Sequence, residues 1–359
     1  MSEPINPADL ASFRQHLQKS KRIVCVIGAG LSASSGLSTF RDTNGLWCNH
    51  DVFQIASPAG WRRDPGLVWQ FYAERRREAM RAQPNPGHIA LSSLAQQKPG
   101  VTVLSQNVDG LLQRTGLTSD RGLKLLHGNL FDLACAGGNN CGYVEHDNFN
   151  EPLCPVLSAE KRVKGVLGAA GSEGGVVTVK PSKASALLFE GIAAKNKKIL
   201  GEDKFTDKGP TAADAAPLRE LGEEARKNGP DNTTAPALYS GIDRSELPRC
   251  PKCKENLLRP RVVWFGESLP EDICRDVDAL FAEDADGIDL CLVIGTSSKV
   301  WPTAGFADQA RKKGAKVAWV NNKMEDVERR RHLGDWVFIG DAAVVLPEML
   351  RDPNGSLDN

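Results

Sequence analysis

The chain is predicted to be an α/β protein: a Rossmann-like, doubly wound parallel sheet with a smaller zinc-binding lobe and an inserted helical module. Three observations predict this. Short, fully apolar runs such as Ile23–Ile27 and Leu290–Ile294 have the character of strands buried on both faces. Helical stretches alternate with them, which implies parallel pairing. Two cysteine pairs, Cys135/Cys141 and Cys250/Cys253, interrupt that alternation.

Residues 1–20 open the chain with an amphipathic helix over 8–21. The strand Ile23–Ile27 then runs into Gly28-Ala29-Gly30. Glycines there allow a sharp turn and a close backbone approach to a pyrophosphate, met by the N-terminus of a following helix. An ordinary strand-to-helix turn has the same glycines. No strand ending in an acidic residue follows about twenty residues on to hold a ribose. Instead come Ser32, Ser35, Gly36 and then Thr39-Phe40-Arg41-Asp42.

Residues 44–87, with Trp47, Trp61, Trp69, Phe71 and Tyr72, read as the helical module. A helix start at Asp64-Pro65 places Tyr72 and Arg75 on one face with Val68 and Ala79. The competing reading is that Arg75 belongs to a solvated run, Arg75-Arg76-Arg77. A second buried strand, Val101–Ser105, ends in Gln106-Asn107-Val108-Asp109-Gly110, and open α/β sheets bind ligands at such carboxyl ends. A further helix and the strand Leu123–Leu126 lead to His127-Gly128-Asn129.

Residues 131–255 form the lobe. The two cysteine pairs supply four thiolates, enough to close a tetrahedral zinc site and leave no position for water, so its role is structural. Cys154 competes as a ligand; Cys25 and Cys291, inside apolar strands, read as core. Within the lobe, 155–249 lacks Cys, His and Trp and reads as a mobile insertion, including the helix-like segment Ala215–Lys227. The alternation returns with Arg261–Gly266, Leu290–Ser298, Lys316–Asn322 and Trp336–Ile339, so 21–43, 88–130 and 256–350 make up the sheet domain, with 351–359 a tail.

Composition narrows the function. Lys plus Arg equals Asp plus Glu at 45 each, so no global field draws the protein to nucleic acid or an anionic membrane. No apolar run approaches the roughly eighteen residues that span a bilayer. The N-terminus lacks a secretory core and carries Glu3 and Asp9, unlike a mitochondrial presequence. Nine cysteines without a secretion signal point to a reducing intracellular compartment.

Taken in order, Gly28-Ala29-Gly30 with Phe40-Arg41, Gln106-Asn107-Val108-Asp109, Leu126-His127-Gly128, the cysteine pairs, Trp264-Phe265-Gly266-Glu267 and Gly295-Thr296-Ser297 resemble the sirtuins, NAD-dependent protein-lysine deacylases. The resemblance covers about 21–348 outside the insertion. It implies NAD as cosubstrate, one structural zinc and acylated protein lysines as substrates; for location it implies mitochondria, with cytoplasm or nucleus left open, and it leaves the oligomeric state undefined. It also implies roles. His127 is the general base that takes a proton from the ribose hydroxyls, while Asn107 positions ribose and water. Asp109 receives the nicotinamide amide, Gln106 touches the ribose, Phe40 shields the reactive sugar and Arg41 meets phosphate. Gly28, Ala29, Gly30, Ser32, Gly295, Thr296, Ser297 and Asn321 line the dinucleotide site. The acyl-lysine is expected to add as a strand between Val263-Trp264-Phe265-Gly266-Glu267 and Lys299–Trp301.

The Tyr72/Arg75 pair resembles the Tyr-x-x-Arg of class III sirtuins, which prefer succinyl, malonyl and glutaryl lysine over acetyl. A guanidinium forks onto the distal carboxylate and the phenol adds a hydrogen bond. Two other readings stand beside this one: a mono-ADP-ribosyltransferase and a non-enzymatic NAD sensor.

Overall fold

Every residue of Ile23–Ile27 is buried, because the strand it forms, β1, lies mid-sheet with both faces covered. In the computed structural model, which describes residues 5–39, 46–47, 50–159, 240–282, 285–328 and 330–351, ten more strands follow. They are β2 (Leu46–Trp47), β3 (His50–Asp51), β4 (Val101–Ser105), β5 (Leu123–Leu125), β6 (Gly128–Cys135), β7 (Val144–Glu145), β8 (Leu258–Val262), β9 (Leu290–Ile294), β10 (Lys316–Asn321) and β11 (Trp336–Ile339). The helices are α1 (Pro7–Lys19), α2 (Val52–Ile55), α3 (Pro58–Arg63), α4 (Pro65–Arg81), α5 (Pro86–Gln97), α6 (Glu271–Phe281), α7 (Phe306–Lys312), α8 (Met324–Glu328) and α9 (Ala342–Leu350).

The main sheet has the order β11-β10-β9-β1-β4-β5, with every pair parallel. Alternate residues of β1 feed two cores. Ile23, Cys25 and Ile27 pack with Leu91, Leu94 and Leu346, while Val24 and Val26 pack with Phe306, Ala310 and Trp319. From β1 the chain moves outward to β4 and β5, then returns on the other side of β1 as β9. The strand order thus reverses between β1 and β9, and the crevice above such a reversal is where doubly wound sheets bind ligands.

A second sheet, β7-β6-β8, is antiparallel and shares one core with the helical module. Trp61, Trp69, Phe71 and Tyr72 pack with Leu130, Phe131, Leu258 and Trp264. The module and the cysteine lobe are therefore one packing unit.

Three expectations change. The stretch beginning at Arg261 does not rejoin the parallel sheet: β8 pairs antiparallel with β6. Its alternating burial over Leu258–Val262 is that of a strand with one face in the core. The β4–β5 connection holds two 3-10 turns, Gln113–Thr115 and Ser119–Arg121, instead of a full helix; Gly116 and Gly122, both at positive φ, end them. After β1 come two further 3-10 turns, Ala29–Leu31 and Ala33–Ser35, closed by Gly36 at φ +85°, so no long helix follows the glycine turn. Phe40, Arg41, most of the 155–249 insertion and Ala215–Lys227 lie outside the described residues.

The basic run on α4 is not a solvated face. Arg76 is 1% exposed and donates to the carbonyls of Leu130 at 2.7 Å, Asn148 at 2.7 Å and Asn150 at 3.2 Å. Arg77 bonds Glu151 at 2.9 Å and the Leu157 carbonyl at 3.0 Å. Arg76 thus ties α4 to β6 and the 148–150 loop, and its removal strands several buried carbonyls. Arg76→Met is expected to cost about 3 kcal/mol of stability, read by urea or thermal unfolding, with a smaller loss for Arg77→Met.

Candidate active site and cysteine cluster

The crevice between β1 and β9 is built by glycines packed backbone to backbone. A Cβ on Gly30 would lie 2.7 Å from Gly295 Cα, and one on Gly28 would lie 2.7 Å from the Gly295 oxygen. Gly295 itself is at φ +60°, and a Cβ there would lie 2.5 Å from the Leu31 nitrogen. The amide of Gly28 bonds the Ile294 carbonyl at 2.9 Å and that of Gly30 bonds the Gly295 carbonyl at 2.8 Å. Those two glycines therefore join the loops, and their N–H groups are not available to a pyrophosphate. The amides of Ala29, Thr296 and Ser297 have no hydrogen bond among the described residues. They are the donors that fit a diphosphate at this edge.

Side chains at the strand ends brace the crevice. Gln106 Nε2 reaches the Ile27 carbonyl at 3.2 Å and Thr296 Oγ1 at 3.1 Å, linking the ends of β4, β1 and β9. Asn321, buried at the end of β10, donates to the Thr296 carbonyl at 2.9 Å. Gln106 and Asn321 thus hold the loops in place.

Ser32 is the centre of a closed network. Its hydroxyl donates to Asp109 Oδ2 at 2.7 Å and accepts from Asn107 Nδ2 at 3.1 Å. His88 Nε2 lies 3.3 Å from the same oxygen. His88 Nδ1 accepts the Asn85 N–H at 3.2 Å, which leaves the ring proton on Nε2, pointing at Ser32. Burial holds His88 down to about 4, so the ring is neutral and this donor is fixed at physiological pH. Burial raises the Asp109 pKa, opposed first by the Ser32 hydroxyl and then by the Leu111 amide, which donates to Oδ1 at 2.9 Å. Sequence reasoning missed His88. Its signal, Asn85-Pro86-Gly87-His88, is a helix N-cap pattern, and the structure shows a capping box there as well.

His127 stands beside this network. Its Nδ1 lies 3.1 Å from the Gln106 carbonyl, an acceptor only, so Nδ1 carries the proton and Nε2 is the basic nitrogen. Nε2 has no hydrogen bond among the described residues. Burial lowers the His127 pKa, and the Gln106 carbonyl opposes that shift. Gly128, at φ +79°, lies so close to Arg261 that a Cβ would be 2.1 Å from its carbonyl oxygen, which brings β6 and β8 together just after the histidine.

The Val263 amide bonds the His127 carbonyl at 2.9 Å, joining the 263–267 segment to the histidine. The Phe265 amide goes to the Ala56 carbonyl at 2.9 Å and the Trp264 amide to Glu267 Oε2 at 2.9 Å. Arg259 forks onto Glu267 at 2.6 and 2.9 Å and stacks 3.4 Å from the Trp264 ring centroid. With these amides engaged, the N–H of Gly266 is the one in the segment that is clear for an added strand among the described residues. Tyr72 is buried on α4, and burial pushes its phenol up, offset first by the Arg259 guanidinium, then by the Trp264 side chain and least by Arg75.

The sulfurs of Cys135, Cys141, Cys250 and Cys253 lie within 4.8 Å of one another. Cys135 and Cys253 are 3.8 Å apart, Cys141 and Cys250 3.6 Å. A tetrahedral zinc with Zn–S bonds of about 2.3 Å sets sulfurs roughly 3.8 Å apart, so this donor set fits the ion. Cys154 is not in the cluster. The Gly137 amide donates to Cys135 at 3.4 Å and Asn256 Nδ2 to Cys253 at 3.6 Å. Backbone N–H groups of Asn256 and Glu255 pull the Cys253 pKa down, while burial pushes that of Cys135 up. A separate cavity of about 350 Å³, lined by Trp61, Arg62, Arg244 and Arg249, shares no residue with the strand-end constellation.

A model of the Sir2 family matches residues 28–162 and 227–302. An NAD-dependent protein deacylase of Candida albicans is 37% identical over 97% of this chain and 99% of its own length. The NAD-dependent protein deacylase sirtuin-5, mitochondrial, of Danio rerio is 33% identical over 90% of this chain and 81% of its own length. Among solved structures, a Sir2 homolog–NAD complex superimposes with a TM-score of 0.58 at 25% identity, covering 95% of this chain and 92% of that one.

Because Cys135 and Cys250 are part of the lobe core, losing the ion should loosen the whole lobe. Cys250→Ser is expected to reduce bound zinc to near zero by elemental analysis and to lower the thermal midpoint.

Proposed function

The chain belongs to the Sir2 family, and on that premise we propose that the crevice of β1, β4 and β9 is the NAD-dependent deacylation site for acylated protein lysines, with acidic acyl groups preferred. The observation that carries the deacylase reading is the convergence of Ser32, Asn107, Asp109 and His127 at the carboxyl ends of three neighbouring strands, β1, β4 and β5. NAD supplies the electrophilic sugar carbon and nicotinamide as leaving group.

The chain's own groups do the rest. The glycine loops and the amides of Ala29, Thr296 and Ser297 hold the diphosphate, with Gln106 and Asn321 bracing the loops. Asp109, kept in place by Ser32, receives the nicotinamide amide, and Asn107, held by the same hydroxyl, positions ribose and water. The substrate backbone docks along the 263–267 segment and presents its amide oxygen to the sugar, where orientation does most of the work on a weak nucleophile. His127 Nε2 then takes a proton from the ribose hydroxyls so that a sugar oxygen attacks the acyl carbon; the acyl C–N bond breaks, the lysine amine leaves protonated, and water supplies the oxygen that completes the acyl ester of ADP-ribose. Phe40 and Arg41 are assigned the shielding and phosphate roles. The four cysteines hold a structural zinc, with no open position for catalysis.

Tyr72 and Arg75 are read as the acidic-acyl pair. Arg75 lies over Phe71 with its guanidinium carbon 5.4 Å from the ring centroid, one helical turn from Tyr72. An acetyl group leaves both polar ends unpaired, and a charge-assisted bond is worth about 1.5–3 kcal/mol. The clustered thiols suit a reducing intracellular compartment, and the name of the Danio rerio relative places that protein in mitochondria. No helix among the described residues is long and apolar enough to cross a membrane.

The deciding experiment is mass spectrometry of succinyl-, malonyl- and acetyl-lysine peptides with and without NAD. NAD-dependent loss of the acyl group with formation of acyl-ADP-ribose is expected; a mass gain of ADP-ribose on the peptide points instead to ADP-ribosyl transfer. Arg75→Met is expected to reduce desuccinylation at least about tenfold more than deacetylation; equal losses overturn the acidic-acyl reading. Because burial lowers the His127 pKa, the imidazole stays neutral to below the ordinary 6.5. The acid limb of kcat/KM should therefore fall below pH 6.5, with the rate lost as pH drops through it, and His127→Ala should abolish product formation while leaving NAD binding measurable by calorimetry.

A further inference from the structure

Arg75 is already engaged. Its Nη1 lies 3.1 Å from Glu78 Oε2, three residues on along α4, and the two side chains are 22% and 36% exposed. We propose that Glu78 is an internal competitor of the substrate: its carboxylate occupies the guanidinium that an acidic acyl group needs, and so sets how strongly this enzyme prefers such groups. This rests on the reading of Tyr72 and Arg75 as the acyl-carboxylate pair.

The alternative is that Glu78 aims Arg75, and the geometry argues against it. The guanidinium lies over Phe71, and Phe71 is wedged edge-on between Tyr72, with centroids 5.0 Å apart, and Trp47, at 5.5 Å. Aromatic packing thus places the arginine without help from the acid. The Glu78 contact is a single one, and a carboxylate bound in the fork takes two N–H groups. An incoming acyl carboxylate must therefore displace Glu78 or accept a like charge beside it. Glu78 is exposed enough to be rehydrated when it leaves. The neighbouring cations cannot substitute: Arg76 is spent on buried carbonyls and Arg77 on Glu151. Glu74, one turn back, accepts from the Trp47 indole N–H.

Partly exposed helical pairs are weak, so the competition is modest: about twofold for the contact alone, and up to roughly fivefold with the like-charge term. The test measures kcat/KM on succinyl- and acetyl-lysine versions of one peptide for the wild type, Glu78→Gln, Glu78→Ala, Arg75→Met and Arg75→Met/Glu78→Gln. Glu78→Gln should raise the succinyl-to-acetyl ratio about two- to fivefold through KM for the succinyl peptide, and Glu78→Ala should do the same. In the Arg75→Met background the Glu78 change should have no effect on the ratio. A ratio that stays flat or falls in both single Glu78 variants overturns the proposal, a fall marking Glu78 as an aid to Arg75. If Arg75→Met spares desuccinylation, the acyl-carboxylate reading itself fails and takes the proposal with it, a result distinct from failure at Glu78 alone.

Discussion

Gly28 and Gly30 lie against Gly295 with no room for a side chain on any of the three, and the rest of the cleft depends on that contact. Two strands of a parallel sheet are held about 4.8 Å apart by their ladder, but the loops that leave them are free to splay. Here they cannot, because the amides of Gly28 and Gly30 are tied to Ile294 and Gly295. The closure fixes the edge where three amides without a hydrogen bond among the described residues are grouped, and Gln106 locks it from the β4 side. A glycine signature usually read as phosphate contact is, in this protein, first a device for bringing two backbones together.

Above that edge, the polar groups are satisfied by one another before any ligand arrives. Ser32 uses its one proton on Asp109 and both acceptor positions on Asn107 and His88, so none of the four can turn without breaking a buried hydrogen bond. Burial keeps His88 neutral and lowers the His127 pKa, but with different results. The first ring is capped on both nitrogens and is structural; the second keeps one nitrogen unengaged among the described residues and is suited to accept a proton. The difference lies in hydrogen-bond partners, since both rings are histidines in largely desolvated places.

The face that carries Tyr72 and Arg75 is built on the shared core of the helical module and the small sheet. Three consecutive arginines on α4 meet three different environments: Arg75 over an aromatic ring at the edge, Arg76 inside the core, and Arg77 against the 151–157 segment. A helix turns by about 100° per residue, so neighbours in sequence face different surroundings. The 263–267 segment is fixed from the other direction by the Arg259–Glu267 fork and by the bond to the His127 carbonyl, so that segment and the basic nitrogen share one frame.

Much of this was legible in the residue order. Apolar runs marked the parallel strands because a strand buried on both faces cannot carry polar side chains, and the paired cysteines marked a metal site because thiols at such spacing converge when the chain doubles back. Gly28, Asn107, Asp109 and His127 were visible as polar or glycine breaks at strand ends. What residue order left open depended on contacts far apart in the chain. β8 joined the small sheet because its pairing partner is β6, more than a hundred residues earlier. His88 became part of the Ser32 network through a contact 56 positions away, although locally it reads as a helix cap. Local chemistry thus determined which strands and motifs exist. Only folding decided which of three adjacent arginines is buried, which histidine keeps a free nitrogen and which glycine amides are already spent, because each is settled by the distant group that packs against it.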